Sequence, residues 1–85
     1  NAEKKYLFTT KTCPKCRIAK EMLKGESYEL IDAEENQELA SEYGIMQAPT
    51  LVVLHDGAFD KYVNASNIKR YVDARALGDR LVSNA

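Results

Sequence analysis

The sequence has no tryptophan, one histidine, two cysteines, two prolines and four glycines in 85 residues. Each scarcity excludes something. Two cysteines are too few for a disulfide-dense secreted scaffold. With His55 they make a poor zinc set, because tetrahedral zinc takes four protein ligands, or three and a water. A metal or cluster shared with a partner chain stays open as the alternative reading of the two cysteines, as does an inert buried pair. No run approaches the ~20 apolar residues of a membrane span, so no membrane partner is expected. There is no repeat and no low-complexity tract. A chain this short leaves roughly 40% of its unfolded surface exposed after folding. A flavin, haem or dinucleotide would consume its core, so no cofactor is expected. What is present, 45% apolar residues with five tyrosines and two phenylalanines, argues against disorder and for a single small domain.

Charge is unevenly placed under a net of −1. Residues 1–24 carry seven Lys/Arg and two Glu, residues 25–60 carry nine acids and no Lys/Arg, and residues 61–85 carry five bases and two acids. Both cysteines lie in the first, basic segment, which bears on thiol acidity. The aromatic platforms and large positive excess of a nucleic-acid binder are missing, so no nucleic-acid partner is expected. The acids Glu34, Glu35, Glu38 and Glu42 read as a solvated helix face, or as a surface that steers a basic partner.

Hydrophobic period and turn residues place the elements. Tyr6–Thr10 reads as a first strand. A helix begins at Cys13 or Pro14, since proline suits the first helical position. Its inward stripe is Ile18, Ala19, Met22 and Leu23, and Gly25 ends it. Ser27–Ile31 reads as a second strand, with Asp32 as a solvated strand-end cap or a remote proton relay. Asn36–Tyr43 reads as a helix with Leu39, Ala40 and Tyr43 inward, capped by Gly44. Thr50–Leu54 is the strongest strand, His55-Asp56-Gly57 a hairpin turn, and Ala58–Val63 its return strand. Ser66 or Asn67 caps a last helix that turns Ile68, Tyr71, Val72 and Ala76 inward. The order βαβαββα predicts an α/β domain with a mixed four-stranded sheet and helices on both faces. Asn1-Ala2 reads as an expression-tag remnant, 3–82 as one domain and 83–85 as a frayed tail.

The sharpest motif is Cys13-Pro14-Lys15-Cys16. A bond between cysteines three apart closes no long loop and stabilises little, so the pairing calls for a chemical purpose. After a strand and at the opening of a helix, this spacing is a redox arrangement. Cys13, at the cap, can face solvent and accept from the free N–H groups of Lys15 and Cys16. Cys16 shares a helical face with Ala19 and Leu23 and is expected to be partly buried. Cys13 is therefore the expected attacking thiolate and Cys16 the resolving thiol. A free thiol ionises near ~8.5, and helix N-termini and neighbouring cations favour the anion. Here those are the helix dipole with Lys11, Lys15 and Arg17. Pro14 stiffens the helix start. A second motif is Ala48-Pro49-Thr50. Proline before the best strand marks the strand start and admits a cis bond. Strands one and three are expected neighbours, so the Ala48 backbone could pair with an extended partner segment beside Cys13. Met46 is either a soft contact for that partner or a core filler.

Together these motifs and the element order resemble the thioredoxin-like superfamily over nearly the whole chain. The resemblance implies a cis Pro49 packed against the cysteine pair, with Lys11, Thr12, Pro14, Lys15, Ala48 and Pro49 activating it or binding substrate. The small size resembles the glutaredoxin side of that superfamily. Thr10-Lys11-Thr12-Cys13-Pro14-Lys15-Cys16 resembles the glutaredoxin-like thioredoxins that serve ribonucleotide reductase, and redox domains associated with anaerobic reductases of that class. The chain departs from thioredoxins at Thr12, where they carry tryptophan, at Pro14, where they carry glycine, and at Leu7, where they carry a buried carboxylate. It departs from glutaredoxins at Lys15, usually Tyr or Phe, and at Ala65-Ser66-Asn67, where they carry a Gly-Gly turn and acidic cap that bind glutathione. The resemblance thus implies a cytoplasmic, monomeric thiol–disulfide oxidoreductase that reduces a disulfide-containing protein target. It implies a donor of the thioredoxin-reductase type and a possible parent ribonucleotide reductase chain. A potential nearer ~−270 mV than ~−120 mV is expected. Alternatives are a glutathione-dependent glutaredoxin, a non-catalytic protein-binding module and a disulfide-forming oxidant.

Overall fold

The computed structural model of the chain describes the backbone of residues 4–83 and the side chains of residues 4–75. The elements run β1 (Lys4–Thr9), α1 (Pro14–Met22), β2 (Glu29–Asp32), α2 (Gln37–Glu42), β3 (Thr50–His55), β4 (Ala58–Val63) and α3 (Asn64–Ser83). The expectations placed on Asn1, Ala2, Asn84 and Ala85, and on the side chain of Ala76, lie outside the described residues. The four strands form one sheet in the order β2-β1-β3-β4. β1 and β2 are parallel, with Leu7 opposite Leu30. β1–β3 and β3–β4 are antiparallel. This is the mixed α/β sheet expected from the element order.

Alternation along the two central strands builds a core on each face. Leu7, Leu51 and Val53 pack with Ala19 and Leu23 of α1 and Ile68 of α3. Phe8 and Val52 pack with Ile31 of β2 and with Ala40 and Tyr43 of α2 and its cap. Burial on both sides is why Thr50–Leu54 reads as an unbroken apolar run. Among the described residues, no helix is long and apolar enough to cross a membrane.

Four local expectations are corrected. Ile18 is 54% exposed. It lies about 100° round the helix from Ala19, outside the stripe that α1 turns to the sheet. β2 begins at Glu29 rather than Ser27, because Ser27 and Tyr28 carry the chain from the α1 turn to the sheet edge. His55 is the last residue of β3, so the turn proper is Asp56-Gly57, with φ of 49° and 79°. Two consecutive positive φ values match the twist of a two-residue hairpin. The cap of α3 is Asn64 instead of Ser66 or Asn67. Its φ is 67°, a value asparagine tolerates, and its Oδ1 accepts the N–H groups of Ser66 and Asn67.

The sequence reading did not find a buried lysine. Lys5, 7% exposed, donates to Glu26 at 2.8 Å, and Arg75 of α3 approaches the same carboxylate at 3.6 Å. This clasp ties β1, the turn after α1 and α3 together. The hydrogen bond from Lys5 holds the Glu26 carboxyl below the usual range against the opposing effect of desolvation, and the charges of Lys5 and Arg75 add to the lowering. A depressed carboxyl contributes stability above its unfolded-state value and loses it as pH falls through its folded-state value. Glu26→Gln is therefore expected to cost about 1.5–3 kcal/mol at pH 7. In urea melts over an acid series, the gap from wild type should close below the ordinary glutamate value of ~4.3. A gap that persists undiminished at acid pH would overturn this account.

Candidate active site

β1 ends at Thr9, and after four further residues the chain enters α1. Cys13 is the N-cap, with φ −97° and ψ 105°, and Pro14 occupies the first helical turn. Extended backbone at the cap lets the side chain fold back over the free amides. The Cys13 Sγ accepts the N–H of Cys16 at 3.1 Å. The Lys15 N–H, also expected there, makes no such bond, since a cap side chain reaches the N2 or N3 amide and here takes N3. Cys13 and Cys16 are joined as a disulfide, with Cα atoms 5.4 Å apart. Cys13 is half-buried and Cys16 is 3% exposed. One sulfur therefore stands at the surface with the other behind it. Once reduced, Cys13 would have at its sulfur an amide donor and the positive end of a helix whose first turn carries no acid, and both favour the thiolate.

Lys11, Thr12, Pro14 and Lys15 are exposed around the pair. Lys11 is engaged at 3.1 Å by Glu35, so part of its charge is spent away from the thiol. Thr50 pairs with Phe8 across β1–β3. The loop that ends in Pro49 therefore emerges at the same end of the sheet as the loop that carries Cys13. The Ala48–Pro49 bond is cis. Pro49 is fully buried and Ala48 half-buried. The corner is held twice, by the Thr50 hydroxyl donating to Gln47 O at 2.7 Å and by the Asn64 N–H donating to Pro49 O at 2.8 Å. Met46 is 91% exposed, which removes its reading as core filler. His55 lies in the hairpin at the far end of β3 and pairs with Asp60 at 2.8 Å.

Two features escaped the sequence reading. Asn64 both caps α3 and holds Pro49. Its signal is an asparagine at a strand end, which ranks with Ser66 on propensity. The other is a groove on the β2 side of the dithiol. It is lined by Cys13, Cys16, Arg17, Lys20, Leu30 and Asp32, with Lys11 and Glu35 at its mouth. No local motif announces it, because its walls come from the end of β1, from α1 and from β2 and the turn after it. Asp32 is half-buried and its Oδ1 accepts the N–H groups of Glu34 and Glu35, so it caps the turn into α2.

The profile of the glutaredoxin family matches residues 6–58, which span both motifs. The chain belongs to the glutaredoxin family. A relative named thioredoxin, from Methanocaldococcus jannaschii, is 39% identical over 61 residues, covering 62% of this chain and 72% of its own length. Among solved structures, a point mutant of thioredoxin from Halobacterium salinarum superposes with a TM-score of 0.73 at 27% identity, over 87% of this chain and 72% of that one. Thioredoxin NaTrxh of Nicotiana alata gives 0.74 at 22% identity, over 92% and 73%, a likeness of fold. A cysteine pair joined at a helix start in this fold makes this glutaredoxin-family protein a thiol–disulfide oxidoreductase.

Proposed function

We propose that this protein reduces disulfides of other proteins through a dithiol cycle. The Cys13 thiolate attacks one sulfur of the partner's cystine, and the other partner sulfur leaves as a thiolate. Cys16 then loses its proton and attacks the Cys13 sulfur of the mixed disulfide. The second partner thiolate departs, and the protein is left with the Cys13–Cys16 disulfide. Two electrons from a reductase restore the dithiol. Lys11, Thr12 and Lys15 frame the entry to Cys13, Pro14 fixes the helix start, and Ala48 beside Pro49 offers its backbone to an extended partner segment. The observation that carries the reading is the placement of the sulfurs, Cys13 at the helix cap and half-buried, Cys16 buried behind it.

For the donor, we favour a flavoprotein reductase of the thioredoxin-reductase type, with a ribonucleotide reductase as the electron acceptor, in the cytoplasm, the domain of residues 3–82 acting as a monomer. Asn64 supports this choice. Its side chain already occupies the amides of Ser66 and Asn67 at the start of α3, so an incoming carboxylate would have to displace it. The family match itself favours the second reading, a glutathione-dependent cycle. NADPH-coupled turnover on a disulfide-bonded test protein separates the two. Sustained turnover is expected with the flavoprotein reductase and little with glutathione and its reductase. The reverse pattern would establish the glutathione reading, and no turnover with either would overturn both.

A further inference from the structure

The dithiol has two flanks. On one, β3 delivers the corner at Ala48–Pro49, which the proposed backbone pairing uses. On the other, between α1 and β2, runs the groove past Cys16, and nothing in the cycle so far uses it.

Its charges are not balanced. At the mouth, Lys11 is matched by Glu35. Asp32 directs Oδ1 to two backbone amides. Arg17 and Lys20 are exposed and have no carboxylate partner among the described residues. They are three residues apart, so they stand on one face of α1, one and four positions beyond Cys16. The positive end of the helix lies at the Cys13 end of this row, and Lys20 extends the positive charge to the last turn. Beneath them Leu30, 53% exposed, supplies an apolar floor of the kind that seats the methylene part of an acidic side chain.

The geometry points to an acidic, disulfide-bearing protein segment as the preferred substrate. An aspartate or glutamate flanking the partner's cystine lies in the α1/β2 groove against Arg17 and Lys20, while the segment's backbone meets Ala48 on the opposite flank. This inference rests on the reductase reading and adds a substrate class to it. Exposed ion pairs add little affinity, so the preference is expressed mainly as a faster encounter. Steering of that kind raises association roughly 10- to 10³-fold and fades with ionic strength, as screening shortens to about 10 Å at 0.1 M salt.

The test uses pre-reduced protein in single-turnover reactions. Because the chain has no tryptophan, oxidation is followed by acid quenching, thiol alkylation and mass. Three disulfides are compared: two synthetic peptides identical except for glutamates or lysines flanking the cystine, and the uncharged bis(2-hydroxyethyl) disulfide. At low salt the glutamate peptide is expected to react about 10-fold faster than the lysine peptide or more, with the ratio falling towards one at high salt. Peptide rates are normalised to the uncharged disulfide, which absorbs any effect on Cys13 itself. On that scale, Arg17→Glu combined with Lys20→Glu should bring the ratio to one or below, and the paired glutamine substitutions should give an intermediate value. A ratio near one in the wild type, or one unchanged by the double charge reversal, overturns the inference while leaving the reductase reading intact. Failure of the wild type to reduce any of the three disulfides overturns the reductase reading, and this inference with it.

Discussion

Cys13→Ser is expected to bring disulfide reduction down to the uncatalysed background, whereas Cys16→Ser is expected to turn the protein into a trap. The two sulfurs differ in place, and in the proposed cycle that difference sets the order of events. Cys13 stands at the helix cap, where a partner can reach it. Serine there keeps a cap for the Cys16 amide, so α1 should survive, but a hydroxyl cannot enter thiol–disulfide exchange. Cys16 is 3% exposed and too enclosed to begin an exchange with a protein. It can attack only a sulfur brought to Cys13. Without it, the first exchange proceeds and the second does not. A covalent complex should therefore accumulate, visible on a non-reducing gel and released by dithiothreitol. Identifying the captured chain tests the ribonucleotide reductase proposal directly. The assignment fails if Cys13→Ser, not Cys16→Ser, accumulates the complex. It also fails if both single variants retain full multiple-turnover activity.

The largest effect on stability is expected at Phe8. Its side chain is fully buried among Ile31, Ala40, Tyr43 and Val52. Its ring stands edge-on to Tyr6 at 6.4 Å and tilted to Tyr43 at 6.2 Å. Phe8→Ala removes those contacts and leaves a cavity in a β1 position that cannot collapse, because both neighbouring strands are fixed by their ladders. Such a truncation costs about 3–5 kcal/mol, against about 5–15 kcal/mol for a whole domain. The melting temperature should drop by at least about 12 °C. Phe59→Ala supplies the contrast. Phe59 is 43% exposed and meets Tyr43 edge-on at 4.9 Å, so its loss should cost about 1 kcal/mol. Equal losses at the two sites would contradict the assignment of Phe8 to the core and Phe59 to its margin.

Some of this was legible in the sequence, and the reasons are physical. The apolar run Thr50–Leu54 and the turn residues Asp56-Gly57 mark β3 and its return strand because each signal is local. Cys13 and Pro14 mark a helix start for the same reason. Element order with short connections leaves few ways to arrange four strands, so the sheet followed. Failures clustered where a distant residue decides the outcome. Ile18 fits the helical period as well as Met22 does, and only the position of α3 and the sheet decides which of them is covered. Lys5 reads as a solvated charge until Glu26 and Arg75 close over it. Ser66 and Asn64 rank equally as caps on propensity, and the bond between Asn64 and Pro49 fixes the turn two residues earlier. The groove at Arg17 and Lys20 needed β2 in place beside α1 before it existed at all.

The antiparallel run of β3 carries one more consequence. It starts at the dithiol and finishes at the Asp56-Gly57 turn, six residues on, a separation of about 20 Å at the usual rise per strand residue. The N-terminal end of β1 lies at that same remote edge. A fluorophore, an affinity handle or a fused partner attached at either point would stand a full sheet length from the chemistry, which makes that edge the natural place to tether the protein while it works.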